Sequence, residues 1–193
     1  MSLVAISGNA SGTGTLTIAA PNTNSDYTLT LPTNTGTLLS TASAGTVLQV
    51  VSTTKTDTFS TASTSYVDVT GLSVAITPTS TSSKILVNVS IVVGSQGIFA
   101  VQLLRGSTTI GIADASGSHV QSSVASFTNS DANTTAIGAF MYLDSPATTS
   151  ATTYKIQAIT QGATNYVNRT INDVNSIVGT RTASSITVME IAA

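Results

Sequence analysis

Hydrophobic and polar positions alternate along most of this chain with a period of two. That is the spacing of a half-buried β-strand rather than of a helix. From residue 46 onward the alternating runs are 47–53, 65–69, 72–77, 84–93, 98–105, 108–113, 135–143, 153–160, 165–171 and 184–191. Turn signals separate them: Thr70–Gly71, the Pro78 stretch to Ser83, Gly94–Gly97, Arg105–Ser107 and Asp144–Ser150. About eight to ten short strands in roughly 150 residues predict a two-sheet sandwich, most simply a jelly roll.

Two runs carry apolar residues on both faces. In 135–143, Ile137, Met141 and Leu143 oppose Phe140 and Tyr142. In 98–105, Phe99, Val101 and Leu103 oppose Leu104. A sandwich strand needs only one apolar face, so the second needs further cover. A subunit interface involving Phe99, Phe140 and Tyr142 is one source of that cover. A long loop of the same chain is the other.

Residues 1–44 read differently. They hold no Lys or Arg and a single acid, Asp26. The element Thr-Gly-Thr-Leu occurs at 13–16 and again at 35–38. Leu16 and Ile18 share one face of one short strand, and Tyr27, Leu29 and Leu31 one face of another. One-faced strands this few cannot bury their apolar side alone. Copies packed about a common axis would bury Leu16, Ile18, Leu29 and Leu31 together, which predicts a trimer. Ser43–Gly45 marks the expected boundary, giving a stem or docking segment 1–44 and a head domain 45–193.

Composition sharpens the fold class and removes most chemistry. Ser and Thr make up about a third of the chain, charged residues 7% and hydrophobic ones 41%, with one His, no Cys and no Trp. Abundant Thr, Val and Ile favour sheet over helix. The six basic residues are scattered and the net charge is −2, so nothing tracks a phosphate backbone and no nucleic-acid partner is expected. No disulfide framework or thiolate metal site is possible without Cys. The N-terminus lacks the basic region of a signal peptide, and no apolar run approaches a membrane span, so no membrane insertion is expected.

His119, with Asp114 and the nearby Ser116, Ser118, Ser122 and Ser123, has the residue types of a hydrolase triad. In a chain so rich in Ser that proximity carries little weight, and no Gly-x-Ser-x-Gly elbow accompanies it. Asn129, Asp131 and Asn133 start like a calcium loop, but Phe140 stands where the bidentate acid belongs. A carboxylate pair for glycan hydrolysis has no aromatic-rich groove to serve, with 5% aromatic residues. Gly12-Thr13-Gly14 is turn punctuation without a following helix. Glu190 shares a face with Ile186 and Val188; it would either sit at a strand end in water or, in a trimer, pair with a neighbour's Arg105 or Arg181. The expectation is therefore no enzyme, no catalytic residue, no metal and no cofactor. Binding residues are expected on the long connections 114–134 and 172–183 and beside them: His119, Asn129, Asp131, Arg169 and Arg181 as polar contacts, with Tyr166 as a stacking surface.

The stretch SGTGTLTIAAPNTNSDYTLTLPTNTGTLLST (11–41) resembles a segment of bacteriophage tail fibres and other virion structural proteins, marine ones especially. The rest, through Tyr66–Val69, Gly71, the Pro78 turn, Ser83–Val87 and the closing Ser184–Ile191, is similar to the trimeric jelly rolls of the tumour-necrosis-factor and C1q type. The resemblance implies a homotrimeric fibre or appendage of a virion, made in the host cytoplasm. It implies docking on other virion proteins, tail or capsid, through the N-terminal segment, and contact with a host-surface glycan or protein. At 193 residues the chain is short for a complete tail fibre. A capsid decoration role, stabilising the shell, is the alternative.

Overall fold

A computed structural model of the chain describes residues 11–13, 24, 44–125 and 131–193. The chain divides into two compact units, Met1–Leu38 and Leu39–Ala193. The expected strands around Leu16, Ile18, Leu29 and Leu31, and their role in assembly, lie outside the described residues.

The described part of the larger unit is all-β, with no helix. Its strands are β1 (Val47–Lys55), β2 (Phe59–Thr61), β3 (Val67–Ile76), β4 (Lys84–Gly94), β5 (Phe99–Arg105), β6 (Thr108–Ile110), β7 (Val124–Ala125), β8 (Ala136–Asp144), β9 (Thr152–Thr160), β10 (Asn165–Val167) and β11 (Ser184–Ile191). One antiparallel sheet runs β1-β11-β4, with β8 on the other side of β4 and β10-β2 continuing past the start of β11. The second runs β3-β9-β5-β6, with β7 also on β5. The longer strands pass repeatedly from one sheet to the other, in the connectivity of a jelly-roll sandwich.

Period-two alternation builds the core directly. Ile85, Val87, Val89, Ile91 and Val93 of β4 face Leu72, Val74 and Ile76 of β3, Phe99, Val101 and Leu103 of β5, and Tyr154 and Ile156 of β9 within one buried cluster. Ile186 and Val188 of β11 join it.

Three expectations need correction. The Thr70–Gly71 turn does not separate two strands. Gly71, at φ 81°, lies inside β3, and the pairing with β9 shifts register between Asp68 and Ser73. A bulge there absorbs extra residues without ending the strand, and glycine tolerates the left-handed backbone it needs. Phe99 is fully buried inside the sandwich, so it is not on an outer face. β5 is covered on both sides within a single chain, because Ala100, Gln102 and Leu104 are buried too. Phe140 and Tyr142 pack against the core, and the outward residues of β8 are Ile137, Met141 and Leu143. The sequence showed two apolar faces on β8, and only the tertiary structure says which is inside. The short strands β2 and β7 carry too few residues to show a period.

At the end of β4 the backbone of residues 169–171 presses against Gly94. A Cβ on Gly94 would meet the Arg169 carbonyl oxygen and lie 3.1 Å from the Ile171 nitrogen. Both obstacles are main chain and cannot rotate away. We expect Gly94→Ala to cost about 1–3 kcal/mol through overpacking, read as a lower urea midpoint. An unchanged midpoint would show that the 169–171 segment shifts freely.

Candidate functional site

The two ends of the sandwich differ. The chain enters at the proximal end, where Gly45 N donates to Ala192 O at 2.7 Å and Ala192 N donates to Thr46 O at 2.8 Å. β4 ends and β5 begins at the opposite, distal end, and there most of the expected binding residues gather.

Asn168 organises that end. It is fully buried and holds φ 64°, a conformation that Asn tolerates better than most residues. Its Nδ2 donates to Lys55 O at 2.8 Å and Asp57 O at 2.9 Å. Its Oδ1 accepts from Ser184 Oγ at 2.6 Å, while Val92 N donates to the same Oγ at 3.0 Å. One amide thus ties the end of β1 to β4 and β11 and fixes where the next residue points.

That next residue, Arg169, lies over the Tyr166 ring at 3.9 Å. It donates to Asp173 Oδ2 at 3.0 Å and to the carbonyls of Thr170 and Ile171. Arg181 reaches the same Asp173 carboxylate at 2.7 Å from the opposite strand of an antiparallel bridge. Tyr166, Arg169 and Arg181 therefore form one cluster, and Asp173 is the residue that joins them. Asp131 is joined indirectly. Its Oδ1 accepts from Asn133 N at 2.9 Å, and Asn133 Oδ1 accepts from Asn172 Nδ2 at 3.1 Å. His119 is exposed on the 111–123 connection, where its backbone N donates to Ser116 O. Asn129 lies outside the described residues.

The sequence reading did not single out Asp173 or Asn168. The available signal for Asp173 was its spacing of four from Arg169, but in a loop that spacing has no fixed meaning. Asn168 stands inside an expected strand and shows no sign of its left-handed backbone.

Four other carboxylates, Asp57, Asp68, Asp144 and Glu190, are engaged separately. Asp57 accepts from buried Lys55 at 2.8 Å, and that hydrogen bond holds its carboxyl below the ordinary range. Asp68 is held low in the same way by Lys155, then by Gln157. Asp144 pairs with Arg105. Glu190 meets Gln49 and Thr79 of its own chain. The anticipated pairing of Glu190 with a neighbour's Arg105 or Arg181 is overturned, since both arginines already have carboxylate partners. No group of three His, Asp or Glu suited to a metal ion occurs among the described residues.

A second feature is a surface rather than a cluster. On the outer face of the β1-β11-β4-β8 sheet, Leu143, Leu86, Met189 and Val50 lie opposite one another across four strands. Met141 (68% exposed) and Ile137 (70%) extend the apolar surface along β8. Their neighbours are Ser, Thr, Ala and Asn: Ala139, Asn88, Ser90, Thr187 and Ser52. Lys84 at the proximal rim is the single charge on that face among the described strand residues. An apolar sheet face with an open edge strand and a single charge at its rim is a surface suited to association.

A scan against protein-family models finds no match, and a search of curated proteins finds none either. The class defined here is an all-β sandwich with an exposed apolar face on one sheet and an arginine–aspartate loop cluster at the distal end.

Proposed function

We propose that this chain is a non-enzymatic structural protein of a bacteriophage particle. In this reading it assembles as a homotrimeric fibre or appendage and presents its distal loops to the host cell surface. The observation that carries this reading is the outer face of the β1-β11-β4-β8 sheet. A monomer would leave Ile137, Met141, Leu143 and Val50 in water on a surface with almost no charge to keep copies apart. Burying them between copies stabilises the assembly by roughly 1.5–3 kcal/mol per fully covered side chain. The distal end supports the second half of the reading. Tyr166 in β10, with Arg181 and Asp131 on the connections beside it, stands there opposite the end where the chain enters. Weak contacts at three copies would act together through avidity.

Light scattering after size exclusion tests the assembly. The expected mass is that of three chains for the full chain. Met141→Lys combined with Leu143→Lys is expected to reduce it to one chain. Both side chains are exposed, so β-sheet circular dichroism should not change. A monomeric parent protein would overturn the trimer. A variant that stays trimeric would move the interface off this face.

A further inference from the structure

Two observations meet on the loop between β10 and β11. The first is apolar. Val174, Ile177 and Val178 are exposed there, and Ile177, at 98%, is the most open large hydrophobic side chain among the described residues. From Val174 to Thr180 the loop carries no charged residue. The second is cationic. Two of the chain's six basic residues, Arg169 and Arg181, face each other across the antiparallel bridge that closes the base of this loop.

The loop is shaped before any partner arrives. Asp173, held by Arg169 and Arg181, clamps its base. Ser176 N donates to Val174 O at 2.8 Å and Gly179 N to Ser176 O at 3.0 Å. A Cβ at Gly179 would strike the Val174 carbonyl oxygen, so the turn is tight. Little freedom is lost when such a tip binds.

The two arginines are not equivalent. Arg169 uses all three nitrogens: Nε on Thr170 O, Nη1 on Asp173 and Nη2 on Ile171 O. Arg181 meets Asp173 through Nη2 alone, and its Nε and Nη1 have no partner among the described residues. Its side chain is 58% exposed. One carboxylate thus serves two guanidiniums, and the free donors of Arg181 are placed for an outside anion. Asp57 and Asp131, also at this end, are engaged by Lys55 and Asn133.

An apolar tip with a guanidinium at its base matches the order of a phospholipid surface, where acyl chains lie beneath phosphates. Interfacial segments sink about 5–10 Å into that boundary, and arginines there keep their charge at the headgroups. Four residues separate Ile177 from Arg181, a reach of at most about 14 Å, which covers that depth. Three convex side chains fall short of the roughly 800 Å² a side that a stable protein interface buries, whereas a fluid bilayer requires no matching shape.

We infer that the Val174–Val178 tip inserts into the surface of a phospholipid bilayer, with Arg181 on a headgroup phosphate. The tip enters the interface and does not span the membrane. This rests on the trimer reading above. The three apolar side chains of one copy hold a bilayer weakly, but threefold symmetry sets three tips at one level along the axis, where they act together.

The chain has no Trp, so one placed at the tip reports alone. Full-length Ile177→Trp would be mixed with vesicles of phosphatidylglycerol and phosphatidylethanolamine. Its emission is expected to move to shorter wavelength, whereas that of Val47→Trp, near the chain's entry, is expected to stay. In flotation with the same vesicles, Ile177→Ser is expected to weaken binding about tenfold or more. Arg181→Gln is expected to weaken it about fivefold, and Arg181→Lys, which keeps the charge, to restore most of it. Both positions are exposed, and an unchanged melting curve would confirm the fold. A trimeric parent that does not float, an unshifted emission from Ile177→Trp, or an Ile177→Ser protein that floats like the parent would overturn the lipid contact and leave the trimer standing. A monomeric parent would remove the trimer and this contact together.

Discussion

Below about pH 4.5 the sandwich is expected to lose stability steadily, and Glu190→Gln is expected to remove most of that loss. Glu190 is fully buried near the proximal end of β11. Burial alone would raise its pKa. Hydrogen bonds from Gln49, Ser83 and Thr79, and from the Thr79 backbone, outweigh burial and lower it from 4.5 to about 2. The closest contacts are Gln49 Nε2 to Oε2 at 2.6 Å, and Thr79 N and Oγ1 to Oε1, each at 2.7 Å. A carboxylate whose pKa is lower in the folded than in the unfolded chain stabilises the fold fully above the unfolded value. That contribution disappears as pH falls through the folded value. The window is therefore about 4.5 down to 2, and at ~1.4 kcal/mol per pH unit the gap corresponds to roughly 3 kcal/mol.

Gln at 190 presents a donor where the site supplies donors, so it loses an acceptor at every pH. Urea unfolding at pH 7, 4, 3 and 2 should show the variant about 3 kcal/mol less stable at pH 7. The two proteins should converge toward pH 2. Parallel curves would mean that Glu190 is not the group that titrates. Asp57 and Asp68 are also held low, but they are exposed and present in both proteins, so they add little and cancel in the comparison.

Asp144→Ala is the second large effect. Asp144 ends β8 in one sheet and is held by two residues of the other. Arg105 Nη1 contacts both carboxylate oxygens at 2.9 and 3.0 Å, and Tyr154 OH donates to Oδ2 at 2.6 Å. Burial first, then the hydrogen bond and charge of Asp144, push the Tyr154 hydroxyl far above its usual pKa, so it stays a donor throughout the working range. Removing the carboxylate strands a buried hydroxyl and an arginine. Breaking a buried ion pair from one side costs about 3–5 kcal/mol. Arg105 is partly exposed and can turn to water, which puts the expectation near 3 kcal/mol. A domain of this size should then melt about 10 °C lower. Tyr154→Phe removes one hydrogen bond to a charged group and should cost about half as much. A loss under 1 kcal/mol for Asp144→Ala would show that the two sheets do not depend on this bridge.

The all-β class and most strand positions were legible in the residues. The runs 84–93 and 184–191 alternate cleanly, and β4 and β11 occupy nearly those positions. A period of two is a local property, and it survives whatever the rest of the chain does. The side that each strand turns inward was legible only where one side was polar. On β8 both sides are apolar, so local pattern could not rank Phe140 and Tyr142 against Ile137, Met141 and Leu143. On β5, Phe99 and Leu104 are both buried within the chain, because other strands and connections cover both faces.

The candidate site divides in the same way. Loop composition pointed to Arg169, Arg181, Tyr166 and Asp131. Their joining through Asp173 and Asn172 depends on a bridge between Arg169 and Arg181 and on the left-handed turn at Asn168. Charge pairing was least legible of all. Glu190 and Arg105 looked available to a neighbour, yet folding brings Gln49 and Thr79 to one and Asp144 to the other. By itself the sequence determined the elements and the scarcity of chemistry, because composition and periodicity need no partner. Only the tertiary structure decided which faces are inside and which ions meet, because both depend on residues far apart in the chain.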